Sequence, residues 1–531
     1  MGDDVVSAMG SMQRTEASHF GWWKMGPTLA LVLASGCPNF DVNRDAFDPA
    51  QGDGGPDPIG LPSALPRLTA VTVDGSAAGK VRQGYGKVVV RLKGTLLDSI
   101  TAVTVGKLPG TILDRTPTDA SFAVDVPHGA PLGLQVVQLT TASGSRSYPQ
   151  GVTITPITAG LTGTDTPVDG GVPAGTDESP VRSMAKAVSM AAGGDTVFLR
   201  AGTYDRANGD NFVTPASGGT ILVDPNIPAG ITLKGEGPST KLVGPGKIGC
   251  STGADARIGL VLAENTRLES LSIEQFCVGV VIRVGNAALH GVTVHNHGSI
   301  GAVIVNGTSA TLDSIDLHSN VSSGVETGGP AAFVNGRIWG NGGHGIRSSG
   351  SGSISMTGTE LDHNGASGLT AKDGLSPTPT VVTVRGARIH DNRLGGISID
   401  EMRGSAKLIV ENTQFDNNKH SLEATGGWEI QIRRSTFRTS EAHLWLYGAS
   451  LLDFGTSANR GENIFHIAGE GFYDMRAASS ASVPISVYGN EWYGPPRPPD
   501  GCSATSPSSA PRSWYISNPG TCPATGNVLV N

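Results

Sequence analysis

One short phrase recurs through the middle of the chain: an Asn followed four places later by Gly, at Asn320/Gly324, Asn341/Gly345, Asn364/Gly368 and Asn392/Gly396. Apolar side chains stand three places before each Asn (Leu317, Ile338, Leu361, Ile389) and eight places before it (Leu312, Phe333, Met356, Val384). A small or branched residue stands five places before (Ile315, Gly336, Thr359, Ala387). The register extends upstream through Leu289, Val292 and Val294 with His297 in the Asn slot. Downstream it runs through Val410, Thr413 and Phe415 with Asn418, and then Ile432, Ser435 and Phe437 with Ser440. A unit of roughly 20 to 30 residues cannot bury its own apolar face, so neighbouring units must stack into a solenoid.

Within each unit the runs are short, alternating and rich in Val, Ile and Thr, which predicts strands rather than helices. The alternation breaks once, between the positions eight and five places before the Asn, and a corner belongs there. Each coil therefore reads strand, corner, strand, Asn turn, strand, loop. Asn suits that turn because it tolerates left-handed backbone and bonds locally, and the following Gly re-enters the third strand at a crowded corner. Extra residues at 372–380 (KDGLSPTPT) and 400–406 (DEMRGSA) place the longer loops on one side. The 75 glycines in 531 residues, about twice the ordinary share, fit a turn-dense β protein. A net charge of −8 without a basic stripe argues against nucleic acid as a partner.

At the N-terminus the apolar run 29–34 (LALVLA) is too short to cross a bilayer and fits a secretory segment. It ends in Leu33-Ala34-Ser35-Gly36-Cys37, which resembles the bacterial lipobox and implies lipid on Cys37, although Ala34 stands where Leu is usual; an ordinary secretion signal is the alternative. The other four cysteines fall into two pairs suited to an oxidising compartment. Cys250 is expected to bond Cys277 across adjacent coils, and Cys502 is expected to bond Cys522. The expected organisation is a signal (1–37), a Gly/Asp/Pro tether (38–65), a small β-sandwich (66–157), a linker (158–175), the solenoid (176–495) and a C-terminal tail with a disulfide loop (496–531). Beyond Ser440 the register fades, and Trp445, Tyr447, Trp492, Tyr493, Trp514 and Tyr515 are expected to plug the C-terminal end.

Two further resemblances sharpen the fold. Val90-Arg91-Leu92-Lys93-Gly94-Thr95-Leu96, with Val126-Pro127-His128-Gly129-Ala130 and Gly133, resembles the immunoglobulin-like IPT/TIG modules of surface proteins, any small immunoglobulin-like fold being the alternative. Residues 181–192, with Met184, Ala187, Val188 and Ala191 on one helical face, precede Gly194-Asp195-Thr196-Val197 and Gly202-Thr203-Tyr204. Together with Gly230-Ile231-Thr232-Leu233-Lys234-Gly235 this resembles the opening of pectate-lyase-like proteins. The resemblance implies an all-β chain: a right-handed parallel β-helix with an N-terminal capping helix, preceded by the small sandwich. It does not imply an activity.

The most functional-looking surface is the outward face of the second strand in each coil. Four places before the Asn the column reads Asp316, Arg337, Glu360, Arg388, Gln414; two places before, it reads His295, His318, Trp339, Asp362, His390, Asp416, Arg438. Glu360 and Asp362 lie at a separation that glycoside hydrolysis permits, but Arg337 and Arg388 flank Glu360 and favour an ion-pair ladder instead. The paired Asp-Asp and Arg-Ile-Lys elements of polygalacturonases are missing, because Trp339 and His390 follow Arg337-Ile338 and Arg388-Ile389. The alternation of histidines with Asp362 and Asp416 invites a metal, yet solvated turn-flanking histidines are the plainer account, and neither metal nor cofactor is expected. Trp339 is either a sugar-stacking platform or a packing residue. The resulting expectation is a bacterial surface lipoprotein whose β-helix binds an extended partner, a polysaccharide, through His318, Trp339, Glu360, Asp362, Arg388, His390 and Asp416; a polysaccharide lyase or glycoside hydrolase is the alternative. Oligomeric state is open.

Overall fold

The computed structural model describes residues 65–76, 79–165, 174–208, 210, 226–247, 250, 258–350, 352–372, 380–400, 406–438, 442–447, 451–456, 458–466, 473–478, 485–486, 489–493 and 514–516. The lipobox with Cys37, the tether, Ser440 and most of both long loops lie outside the described residues. The disulfide expected between Cys502 and Cys522 is not among the described features, because Cys502 and Cys522 both lie outside those residues as well.

Among the described residues the solenoid consists of three parallel sheets of 13, 12 and 12 strands, and each coil gives one strand to each sheet. A middle coil runs Ala331–Val334, Arg337–Trp339 and Ile346–Ser348. Residues at the same slot of adjacent coils pair in register, as Leu317 does with Ile338, Leu361 and Ile389 in turn. All four are fully buried in one continuous core. The fold is a right-handed parallel β-helix. Parallel strands of this kind are covered on the inner side by apolar neighbours from every coil, so the core is long and narrow.

The Asn slot behaves differently from expectation. The left-handed backbone belongs to the residue before it, in Ser319, Gly340, His363, Asp391 and Asn417. The Asn side chains are buried and bond from coil to coil. Asn320 Nδ2 donates to Asn341 Oδ1 at 2.9 Å, Asn341 to Asn364 at 3.0 Å, Asn364 to Asn392 at 2.9 Å and Asn392 to Asn418 at 3.0 Å. Each Oδ1 also accepts a backbone N–H from the coil before it, as Asn364 Oδ1 does from Asn341. The ladder thus satisfies polar backbone that the turn would otherwise bury unpaired. His297 heads it, its N–H donating to Asn320 Oδ1 at 3.1 Å and its buried ring bonding the coil before. The Gly after each Asn is fixed by close approach: a Cβ on Gly345 would lie 2.5 Å from the Gly368 carbonyl oxygen and 2.9 Å from Asn364 Nδ2.

Beyond residue 440, where the sequence register fades, the coils continue. Ala442–Tyr447, Tyr473–Ala478 and Trp514–Ile516 continue the third sheet, and Glu491–Tyr493 ends the second. Trp445, Tyr447, Trp492, Tyr493, Trp514 and Tyr515 therefore sit in coil strands rather than in a separate plug. A second polar ladder at the other corner carries this end: Ser435 N–H donates to Asn463 Oδ1 at 2.9 Å, and Asn463 Nδ2 to Asn490 Oδ1 at 2.9 Å. Inside, Phe415, Phe437 and Phe465 stack with centroids 4.9 and 4.7 Å apart. The disulfide between Cys250 and Cys277 forms across adjacent coils, as its spacing led us to expect.

At the other end the helix Met184–Ser189 covers the first coil with Met184, Ala187 and Val188 buried, and Ser183 caps it by accepting from the Lys186 N–H at 3.1 Å. It is shorter than the apolar pattern over 181–192 suggested, because Val181 is held beside Ala159 as an isolated bridge. Ahead of it, residues 67–155 form one eight-stranded, mostly antiparallel sheet around its own core of Val90, Phe122, Val137 and Ile154. The expected linker starts as something else: Ile157–Ala159 is already a buried strand of the solenoid's first sheet, paired with Thr196–Leu199. The turn His128-Gly129 also reaches the solenoid, where the buried Asp195 carboxylate accepts the Gly129 N–H at 2.8 Å and contacts the His128 ring. Gln83 Oε1 accepts the Thr196 N–H at 2.8 Å. These bonds replace the free spacer with a fixed junction.

Candidate functional site

The outward row of the second sheet is set by register. Pairing of Asp316 with Arg337, Glu360, Arg388 and Gln414, and of His318 with Trp339, Asp362, His390 and Asp416, makes two parallel columns. The structure thus brings all seven candidate residues onto one face, and the contacts divide them into two groups.

The first group is aromatic. His295 and His318 stack at 4.8 Å, and His318 stacks on Trp339 at 4.5 Å with the planes 17° apart. The Arg337 guanidinium lies over the Trp339 ring at 4.8 Å. Since Arg337 reaches forward to the next coil, His318 and Arg337 cover opposite faces of the indole. Trp339 Nε1–H donates to Asp316 Oδ1 at 2.8 Å. Neither face of the ring is open to stack on a sugar, so Trp339 presents an edge. His295 and His318 are half-buried rather than freely solvated, and burial lowers the basicity of both.

The second group is ionic. Asp362 is fully buried and receives two bonds from Arg337, Nε to Oδ1 at 2.9 Å and Nη2 to Oδ2 at 2.7 Å. Burial alone would raise its pKa; the bonds from Arg337 and the neighbouring His363 outweigh that and hold it below the ordinary value. Glu360 takes Arg388 at 3.1 Å, Arg337 at 3.4 Å and His390 Nε2 at 2.8 Å. The ion-pair ladder expected along this column is present, with Asp362 rather than Glu360 as its deepest member. Arg388 is more than half exposed, and Asp416 is half-buried farther along the row.

Two contributors escaped sequence reasoning. His363 and Asp391 occupy the slot just before the ladder Asn, and left-handed backbone there (φ 52° and 54°) turns their side chains toward the row. His363 Nδ1 lies 2.7 Å from Asp362 Oδ2, and His390 Nδ1 lies 2.6 Å from Asp391 Oδ2. The available signal was chemical: the same slot elsewhere holds Asn296, Ser319, Gly340 and Asn417, and only at His363 and Asp391 does it carry a side chain that can ionise.

The Arg337 pairing predicts a pH-dependent effect. Replacing Arg337 by Met should cost about 2 kcal/mol at neutral pH, less than for a fully buried pair because Arg337 is partly exposed. The Asp362 pKa is depressed in the folded state, so its stabilisation is complete above the unfolded carboxylate value and is lost as pH falls through the folded one. Urea melts of both proteins should therefore differ at pH 7, with a gap that starts to close below about pH 4 and vanishes only below the depressed folded-state value. A gap that stays constant with pH would mean that the pair contributes nothing through ionisation.

The family model described as right handed beta helix region matches residues 278–437 and 323–483, which lie inside the solenoid. No curated protein matches the chain. Similar solved structures include a pectate lyase (16% identity, 64% of this chain and 80% of that one, TM-score 0.39). The A-module of a mannuronan C-5 epimerase from Azotobacter vinelandii is similar at 15% identity over 59% and 94%, TM-score 0.39. The catalytic unit of an alpha-1,3-glucanase from Streptomyces thermodiastaticus is similar at 11% over 81% and 90%, TM-score 0.40. At these identities the likeness is one of fold alone.

Proposed function

We propose that the outward face of the second sheet binds an extended polysaccharide, and that the chain is a binding protein of the bacterial cell surface, exported by its N-terminal segment and anchored through lipid on Cys37. The observation that carries this reading is the row itself. Arg337, Glu360, Asp362, Arg388 and His390 are held by one another at 2.7–3.4 Å along consecutive coils, so their remaining donors and acceptors are fixed before any ligand arrives. Preorganised groups spend less entropy on binding than free ones. A long, flat, polar face suits a polymer with repeated hydroxyls better than a compact ligand. Hydrolysis by the two carboxylates is the weaker reading, since it needs one of them as a free acid, and both are paired with guanidinium groups, Asp362 with Arg337 and Glu360 with Arg388 and Arg337. The immunoglobulin-like module carries the solenoid away from the membrane in this arrangement.

The full chain should be retained on at least one immobilised polysaccharide from a panel of uronans and neutral glycans, without release of reducing ends or unsaturated product. Arg388→Ala, at an exposed position, should weaken that retention about tenfold, which corresponds to about 1.4 kcal/mol. Product formation would replace this reading with the lyase or hydrolase alternative. Absence of retention across the panel would leave a scaffold without a glycan ligand.

A further inference from the structure

The geometry points to a divalent transition-metal site of the zinc type on the solenoid wall, with Asp362, His363 and His390 as its ligands. Candidate ligand atoms of these three residues all lie within 4.8 Å of one another. Two come from register: Asp362 and His390 are paired neighbours on adjacent coils. The third comes from the backbone. Consecutive residues of a strand point to opposite sides, and His363 would face away from Asp362 if the strand continued; its left-handed φ of 52° instead brings Nδ1 to 2.7 Å from Asp362 Oδ2.

The donor set fixes the class of ion. Two imidazoles and one carboxylate suit zinc and its neighbours in the transition series, whereas calcium and magnesium prefer oxygen alone. The surroundings have the supporting partners that such ligands need. Asp391 lies 2.6 Å from His390 Nδ1 and so fixes the ring, as a carboxylate partner of a ligating histidine does. Arg337 occupies one lone pair on each Asp362 oxygen, and an ionised carboxylate has about two more to offer. Glu360 Oε1 stands 2.8 Å from His390 Nε2, beside the three-residue cluster and outside it. His390 thus stands between two carboxylates, Asp391 and Glu360, and a metal ion shared with Asp362 and His363 would take the place of one of these hydrogen bonds.

The aromatic end of the row has no comparable arrangement. His295 and His318 lie ring on ring, with Ser272 and Asn296 bonded to the two nitrogens of His295 and Ser319 to one nitrogen of His318. The metal-binding centre is therefore local to the coils holding Asp362 and His390, and it does not depend on the polysaccharide reading. Bound metal would clamp two coils and the turn between them.

The test uses the full chain after chelator treatment, titrated with zinc chloride by calorimetry and followed by thermal melting. Saturable binding with a rise in Tm is expected, and calcium or magnesium should not reproduce it. His363→Asn is the informative variant, because that side chain is 60% exposed and Asn tolerates left-handed backbone. It should weaken zinc binding at least tenfold with unchanged circular dichroism. His390→Asn should do the same, and His290→Asn, on the first sheet, should have no effect. Absence of saturable zinc binding would overturn the assignment. So would binding that persists undiminished in both His363→Asn and His390→Asn, which would place the ion elsewhere, for example on cysteine thiols.

Discussion

Replacing Asn364 by Ala is expected to destabilise the solenoid by about 4 kcal/mol, because it strands several buried groups at once. Asn364 Oδ1 accepts from both the N–H and the Nδ2 of Asn341, while its own Nδ2 donates to Asn392 Oδ1 and to the Ile338 carbonyl. Alanine removes all four bonds, leaves the Asn341 N–H without its acceptor and leaves Asn341 Nδ2 with only the Leu317 carbonyl at 3.4 Å, in a buried site. An exposed hydrogen bond would cost far less, since water would take the vacant place. Asn364→Asp separates the two halves of the effect, because aspartate can still accept from Asn341 but cannot donate forward. Urea melts should rank wild type above both variants, and amide exchange in Asn364→Ala should quicken first in the coils on either side. A loss below about 1 kcal/mol would mean that the ladder fills space rather than bonding the coils.

Phe437→Ala is expected to cost about 4 kcal/mol by a different route, the cavity left by a large buried ring. Phe437 lies between Phe415 and Phe465, with interplanar angles of 3° and 6°. Its removal takes both neighbours' stacking contacts together. Phe437→Leu should recover more than half of the loss, because it restores most of the volume without the ring faces. Since coils contact only their neighbours, unfolding should begin from the C-terminal side of this rung. Limited proteolysis should cut the variant there while the coils before Asn392 stay protected; cleavage spread evenly along the solenoid would contradict that local picture.

The two substitutions also mark how far the sequence could be read. The slots holding Leu317, Ile338, Leu361 and Ile389 were legible because burial on every coil imposes the same apolar requirement at the same place. Asn at the turn was legible as a position but not as a function, since local turn chemistry and a bond between coils both select the same residue. The solenoid was expected to run to 495, but the register of its last coils was not legible, because it passes to a different corner, through Ser435, Asn463 and Asn490. For the candidate site, the columns followed from period-two alternation. So did the pairing of Glu360 with Arg337 and Arg388, but the burial of Asp362 beneath Arg337 and the turn of His363 toward it did not.

Sequence by itself determined that this chain stacks strands into a β-helix, which side chains face inward, and that one outward row is unusually polar and aromatic. Tertiary structure decided what those outward groups do: Arg337 takes Asp362 into a buried pair, His318 and Arg337 close both faces of Trp339, and His363 turns back to meet Asp362 near His390. The physical reason is that inward positions obey one repeated rule, exclusion from water. Outward positions are set by single rotamers, one left-handed φ and the offset between neighbouring coils, none of which a linear pattern records.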